Sequence, residues 1–145
     1  MALTTQAELR RSRAELGRQG FRFALTGGFV ALVYVGTTTL LAEVIGLDFE
    51  AALAIGFIVA ITTHFTLQRL FVWKHSSAFA LSLHHQLVRY LGMAGIQYGI
   101  TAAVTATVPR ALGVDPELVY LPVVGILTLI NFVVFRSRIF HPATD

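Results

Sequence analysis

Four long apolar blocks, each interrupted by few charges, dominate the chain. They lie near residues 23–42, 51–70, 90–108 and 118–135. Each is about 20 residues long, which is the length of an α-helix that crosses a bilayer. The pattern therefore predicts an all-α integral membrane protein with four transmembrane helices.

Composition agrees with this prediction. The chain is 55% hydrophobic and 13% charged, with a mean hydropathy of +0.70. So few charges could not cover the apolar surface of a soluble domain of this size. The chain has no cysteine, which excludes disulfides and thiolate metal sites.

The first twenty residues are polar and basic. Thr5 and Glu8 have the spacing of a capping box, which predicts a helix that runs to about Gly17. We expect residues 1–20 to form a cytoplasmic N-terminal helix and residues 21–145 to form the membrane domain.

The basic residues lie almost entirely on one side of the predicted membrane. Ten of the eleven precede the first block, separate the second from the third, or follow the fourth. They are Arg10, Arg11, Arg13, Arg18, Arg22, Arg69, Lys74, Arg89, Arg136 and Arg138. By the positive-inside rule both termini are cytoplasmic, as in a multi-pass protein of the inner or plasma membrane. This placement explains the basic pI without a nucleic-acid partner.

The chain matches itself when residue n is laid over residue n+67, which we call the repeat offset. Five matching pairs are Arg22 and Arg89, Gly28 and Gly95, Glu50 and Glu117, Arg69 and Arg136, and Trp73 and Phe140. The pattern predicts two helical hairpins, 21–74 and 88–141, joined by a linker at 75–87. Because each copy has two spans, both would enter the membrane in the same direction, as parallel repeats about an axis along the membrane normal.

Glycine marks both outer loops. Gly46 and Gly113 are expected to end a helix, with Asp48 and Asp115 as N-caps of the next one and Pro116 at its first position.

Other glycines lie within the spans. Gly27, Gly28, Gly92, Gly95 and Gly99 are expected to pack closely against a neighbouring span. The alternative is a packing face for a second copy of the protein.

The chain lacks the residue patterns of common catalytic sites. It contains no P-loop, no intramembrane carboxylate pair and no nucleophile with an adjacent base. His75, His84 and His85 of the linker have no carboxylate or cysteine beside them, so we expect a solvated loop there. These features predict a protein that is not an enzyme and that holds neither cofactor nor metal.

Polar residues inside the apolar blocks are the candidates for binding. They include Thr63, His64, Gln68, Arg69, Gln97, Tyr98, Asn131 and Arg136. Arg69 and Arg136 are open to two interpretations: stop-transfer charges, or ligands of an anion. Each follows a polar residue by five positions and precedes an aromatic by four, a register that stop-transfer charges do not need. Two arginines brought together by the repeat would bind a phosphate in a bidentate way.

Further residues are expected at the interface around that site. Arg22, Arg89 and Arg138 would supply secondary basic groups, and Trp73 and Phe140 would lie in an aromatic belt.

The order of these motifs resembles the GtrA-like family. The two carrying segments are 64–73, His-Phe-Thr-Leu-Gln-Arg-Leu-Phe-Val-Trp, and 131–140, Asn-Phe-Val-Val-Phe-Arg-Ser-Arg-Ile-Phe. The resemblance covers about Phe21 to Phe140. It implies a four-span protein that moves polyprenyl-phosphate-linked sugars, such as undecaprenyl-phosphate glucose, for cell-surface polysaccharide synthesis. Related domains form the membrane part of some polyprenyl-phosphate mannose synthases.

The chain departs from the family pattern at two positions. The family usually has Asn where this chain has His64, and often Asn where it has Gln68. Both replacements keep hydrogen bonding, whereas Phe135 removes a polar group from the second copy. The duplicated site is therefore expected to be unequal in its two halves.

The leading hypothesis is a translocase of such a lipid. Arg69 and Arg136 would bind the phosphate, and the polyprenyl tail would stay among the membrane lipids. The sugar would be bound by a polar groove lined by His64, Gln68, Asn131, Gln97, Tyr98 and Thr63. Four short helices enclose only a small cavity, which makes a homodimer or a glycosyltransferase partner a reasonable expectation. The alternative hypothesis is a membrane scaffold that recruits a polyprenyl-phosphate glycosyltransferase.

Overall fold

The computed structural model describes residues 2–74 and 78–143, without the side chains of residues 2–5 and 7. The Thr5 side chain and His75, on which two sequence predictions depend, lie outside this description. The description covers all four predicted spans and both outer loops.

The described residues are almost entirely helical. The helices are α1 (Ala2–Thr39), α2 (Phe49–Leu67), α3 (Leu83–Leu112) and α4 (Pro116–Val134), with π-helices at Leu40–Val44, Gln68–Val72 and Phe135–Ile139. Four helical segments of the described residues are long and apolar enough to cross a membrane. The prediction of an all-α, multi-pass membrane protein is confirmed.

The chain divides into two compact units, Met1–Lys74 and His75–Asp145. In the first unit α1 packs against α2, and in the second α3 packs against α4. The bounds of the second helices correspond at the repeat offset, since α2 (Phe49–Leu67) falls on α4 (Pro116–Val134) and Gln68–Val72 falls on Phe135–Ile139. The bounds of α1 and α3 do not correspond. Each unit is therefore a hairpin whose second helix ends in a π-helix.

The start of α1 differs from its prediction. No break separates an N-terminal helix from the first span, because α1 is continuous through Gly17 and Gly20. An isolated glycine costs about 1 kcal/mol relative to alanine, which does not end a long helix. Every described side chain between residues 8 and 18 is exposed, and burial begins at Gln19. The polar residues before Gln19 therefore continue the helix of the first span as an exposed N-terminal arm.

The start of α3 also differs from its prediction. Helix α3 begins at Leu83, within the predicted linker 75–87. The residues just before it pair with the chain after α4: Ala80 N–H donates to His141 O (3.1 Å) and Ala143 N–H to Ala78 O (2.9 Å). This pairing ties the entry of α3 to the end of the second hairpin.

The outer loops turn where glycine was expected to turn them. Gly46 and Gly113 have φ values of 78° and 66°, which is the left-handed region that favours glycine. Asp48 and Asp115 occupy the N-cap positions, although neither side chain makes a capping hydrogen bond. Helix α4 begins at Pro116, as predicted.

Within their own hairpins, the span glycines do not make the close packing that the sequence predicts. At Gly27, Gly28, Gly92, Gly95 and Gly99 a Cβ atom would meet nothing within 4 Å. The close approach in the first unit occurs instead at Gly56. There Thr38 of α1 approaches Gly56 of α2 so closely that a Cβ atom would collide with Thr38 Oγ1. Both residues are buried.

Candidate functional site

The π-helical ends of α2 and α4, with the residue after each, contain most of the large, completely buried side chains among the described residues. Trp73 N–H donates to Gln68 O (2.9 Å), and Phe140 N–H donates to Phe135 O (2.8 Å). Hydrogen bonds of this i→i+5 kind place residues five apart on the same side of the helix. Trp73 and Phe140 therefore lie on the same side as the first residue of their π-helix. Trp73 and Phe140 are both completely buried. They are core residues of their hairpins, not lipid-facing members of an aromatic belt.

A hydrogen-bond chain runs through the first unit. Trp73 Nε1 donates to Gln68 Oε1 (2.7 Å), and Gln68 Nε2 lies 2.9 Å from His64 Nε2. An indole N–H can only donate, so it fixes Gln68 Oε1 as the acceptor and Gln68 Nε2 as the donor. His64 therefore accepts at Nε2 and carries its proton at Nδ1.

These hydrogen bonds give Gln68 a different role from the one expected. Its side chain is completely buried, and both ends of its amide are used by neighbours. Gln68 does not line a groove as predicted; it holds the half-buried ring of His64 in one orientation. Thr63, which precedes His64 in α2, is also half-buried.

The second unit arranges its polar residues differently. Asn131 Nδ2 donates to Gln97 Oε1, which joins α4 to α3. The structure thus brings together two of the predicted groove residues. Tyr98 is not part of this pair, because adjacent helix residues point about 100° apart, and Tyr98 is 78% exposed.

The two predicted phosphate ligands hold the same position in their units. Arg69 is the second residue of Gln68–Val72 and is half-buried, and Arg136 is the second residue of Phe135–Ile139 and is exposed. Arg138, two residues further on, is also exposed. The approach of Arg69 to Arg136 across the units stays a prediction.

Arg22 and Arg89 make contacts that the sequence did not indicate. Arg22 Nη1 donates to Phe71 O (3.4 Å), and its guanidinium lies 5.3 Å from the centre of the Phe71 ring. Arg89 Nη1 donates to Arg138 O (2.9 Å). Each arginine thus reaches from the first helix of its hairpin to the π-helical end of the second.

Two buried glutamines were missed by the sequence comparison. Gln19 is 8% exposed and Gln86 is completely buried, and within the described chain neither Oε1 atom has a hydrogen-bond partner. Gln86 Nε2 donates to Leu81 O (3.0 Å), and Gln19 Nε2 lies 3.5 Å from Glu15 Oε1. The two glutamines are related by the repeat offset, so the offset itself carried the signal. Gln19 precedes the first apolar block and Gln86 lies in the predicted linker, so neither is a polar residue within a block.

His84 and His85 form no cluster with acids among the described residues. His84 and His85 are exposed, and Ser82 Oγ lies 2.8 Å from His85 Nδ1. Among the residues that the structure describes, no three His, Asp or Glu side chains are close enough to share a metal ion.

A family comparison assigns the chain as a whole. The family model described as "GtrA/DPMS, transmembrane domain" matches residues 22–140, which include both hairpins and their π-helical ends. The chain belongs to this family. No curated protein and no solved structure matches it. Membership indicates a multi-pass membrane protein of polyprenyl-phosphate sugar metabolism, as the resemblance in the sequence implied.

Proposed function

We propose that the protein is a translocase that moves a polyprenyl-phosphate-linked sugar, such as undecaprenyl-phosphate glucose, for cell-surface polysaccharide synthesis. The family match supports this class of lipid. The observation that carries the proposal is the equivalent placement of Arg69 and Arg136, each second in the π-helix that ends its hairpin. A guanidinium group binds phosphate oxygens in pairs, and such pairs are stronger than neutral hydrogen bonds.

The sugar would follow the phosphate along polar residues nearer mid-membrane. His64, Thr63, Asn131, Gln97 and Tyr98 are the proposed contacts, and Gln68 acts by orienting His64. Hydroxyl groups without partners are costly in hydrocarbon, so hydrogen-bonding side chains lower the cost of crossing. The polyprenyl tail stays in the lipid throughout, and no cofactor takes part.

The proposal includes an arrangement in the membrane. The two hairpins are copies of one duplicated unit, which is supported by the bounds of their second helices, which agree at the repeat offset. Both termini lie in the cytoplasm, because ten of the eleven basic residues fall on that side of the predicted spans. The phosphate is therefore bound first at the cytoplasmic face of the cell membrane.

Reconstitution into liposomes tests this function. Liposomes would contain the purified protein and a fluorescent short-chain polyprenyl-phosphate glucose, with transfer between leaflets measured by a membrane-impermeant quencher. Loss of a charge-assisted hydrogen bond costs about 1.5–3 kcal/mol, so we expect Arg69→Gln and Arg136→Gln each to lower the rate about tenfold or more. Arg110→Gln is the matched control, since Arg110 is exposed and lies at the other end of its hairpin. Equal rates in all three variants would contradict the phosphate role.

One observation favours a second function, that of a scaffold for a polyprenyl-phosphate glycosyltransferase. The part of α1 before Gln19 forms about 25 Å of helix, and it carries four exposed arginines, Arg10, Arg11, Arg13 and Arg18. An arm of this kind offers a docking surface outside the membrane. If the wild type moves no lipid, and deletion of residues 2–18 abolishes recruitment of a glycosyltransferase, the scaffold is the correct function.

A further inference from the structure

Both units contain the same contact between an arginine and a helix end. Arg22 and Arg89 are related by the repeat offset, and so are Phe71 and Arg138, whose carbonyl groups they bind. The contact is kept although the side chain at the second position changes from phenylalanine to arginine. What the two units share is the bond from guanidinium to backbone carbonyl.

The position of these carbonyls explains why they need a donor. Phe71 and Arg138 are each fourth of five residues in a C-terminal π-helix, where i→i+5 bonding leaves the last carbonyls without a partner in the helix. A cation at a helix C-terminus also interacts favourably with the helix dipole. Arg22 and Arg89 therefore serve as caps supplied by the neighbouring helix.

The capped carbonyl lies two residues from the proposed phosphate ligand in each unit. Arg69 precedes Phe71, and Arg136 precedes Arg138, within the same π-helix. The contact therefore fixes the backbone from which the ligand side chain extends. In the first unit the Phe71 ring near the Arg22 guanidinium adds a cation–π contact.

We propose that Arg22 and Arg89 are positioning residues for the lipid phosphate: they hold the π-helical ends that carry Arg69 and Arg136 and do not bind the phosphate themselves. This inference rests on the proposed translocase function. It separates the basic residues near the site into two kinds, those that meet the substrate and those that hold the backbone.

A chemical tether distinguishes positioning from binding. The chain has no native cysteine, so Arg22→Cys with Phe71→Cys, and Arg89→Cys with Arg138→Cys, introduce two thiols each. A short bis-maleimide would link each pair and replace the contact without its charge. Before linking, we expect the lipid concentration for half-maximal transfer to rise about tenfold, as for loss of a hydrogen bond to a charged group. After linking, we expect it to return to within about twofold of the Phe71→Cys or Arg138→Cys single variant.

One control and three contrary outcomes complete the test. Adding Arg69→Gln to the linked protein should abolish the recovery, because the tether cannot replace a phosphate ligand. The inference is overturned if the linked protein stays impaired, which would assign the Arg22 charge to the lipid. It is also overturned if the thiols do not react as a pair, or if their introduction has no effect.

A readout that does not depend on transport keeps the inference separate from the proposed function. Trp73 is the single tryptophan and lies two residues from Phe71, completely buried. We expect Arg22→Gln to shift its fluorescence to longer wavelength and Arg89→Gln to leave it unchanged. The variant with Arg22→Cys and Phe71→Cys should show the same shift before linking and lose it after linking. If the wild type moves no lipid but these spectral changes occur, the translocase proposal fails and the cap remains. Unchanged Trp73 emission in Arg22→Gln would overturn the cap.

Discussion

At the scale of single residues, the hydrogen bonds from Trp73 through Gln68 to His64 predict that substitutions of Gln68 and Trp73 have non-additive effects on stability. Replacing Gln68 by Phe leaves the buried Trp73 N–H without its acceptor, which costs about 1–3 kcal/mol. Trp73→Phe in turn leaves Gln68 Oε1 unpaired. The double variant reproduces the Phe135 and Phe140 pair of the second unit, so we expect it to cost less than the sum by about 0.5–3 kcal/mol.

Unfolding in detergent micelles measures this coupling. The four proteins of the cycle would be compared under one set of conditions, with helix content followed by circular dichroism. Strictly additive free energies would show that the Trp73–Gln68 bond does not stabilise the first hairpin.

The identities of the polar residues could be found from sequence, but their surroundings could not. A polar residue in an apolar block indicates either a binding surface or a satisfied core group, and the sequence does not separate the two. Gln68 proved to be a core group because its partners lie four and five positions away along the chain. The second of these contacts depends on π-helical geometry, which apolar periodicity does not reveal. Asn131 and Gln97 were both named, yet their bond across two helices required the fold.

At the scale of the helices, the four spans and their turns follow from the sequence. Block length predicts the spans, and the positive φ angles of Gly46 and Gly113 fulfil the turn chemistry expected of glycine. Helix packing was less accessible, because glycine allows close approach without requiring it. Gly95 and Gly99 have open space where a Cβ atom would stand, whereas Gly56, which stands alone in its apolar block, makes the close contact.

This contact predicts that Gly56 tolerates no large side chain. In Gly56→Leu the new side chain would collide with buried Thr38 and push α1 from α2, at a cost of about 1–3 kcal/mol. Gly125→Leu is the matched control in α4, where a Cβ atom would meet nothing within 4 Å. Thermal unfolding of the two variants and the wild type measures the difference. Equal destabilisation by both substitutions would show that Gly56 is not a packing contact.

At the scale of the whole molecule, composition identifies the class of protein and the motif order identifies the family. The match over residues 22–140 agrees with both. The structure adds that the two hairpins share the bounds of their second helices, their capped π-helical ends and their buried glutamines. Their hydrogen-bond networks differ. His64 is bonded to Gln68, four residues later along the same helical segment, whereas Asn131 is bonded to Gln97 of the neighbouring helix. Each hairpin therefore presents a different set of polar groups.

The charge distribution predicts which ends of the hairpins face the cytoplasm. Single cysteines at Ser12, Val114 and Ala143 would sample the N-terminal arm, an outer loop and the C-terminal tail, all exposed positions in a chain without native cysteine. In intact cells a membrane-impermeant maleimide should label position 114 alone, and permeabilised cells should label all three. This result is expected because moving several arginines across the bilayer is far costlier than moving the few acids of the outer loops. Labelling of 12 and 143 from outside would reverse the orientation and place Arg69 and Arg136 at the outer face. Labelling of only one of the two would mean that the chain crosses the membrane an odd number of times, so that one of the four helices is not a span.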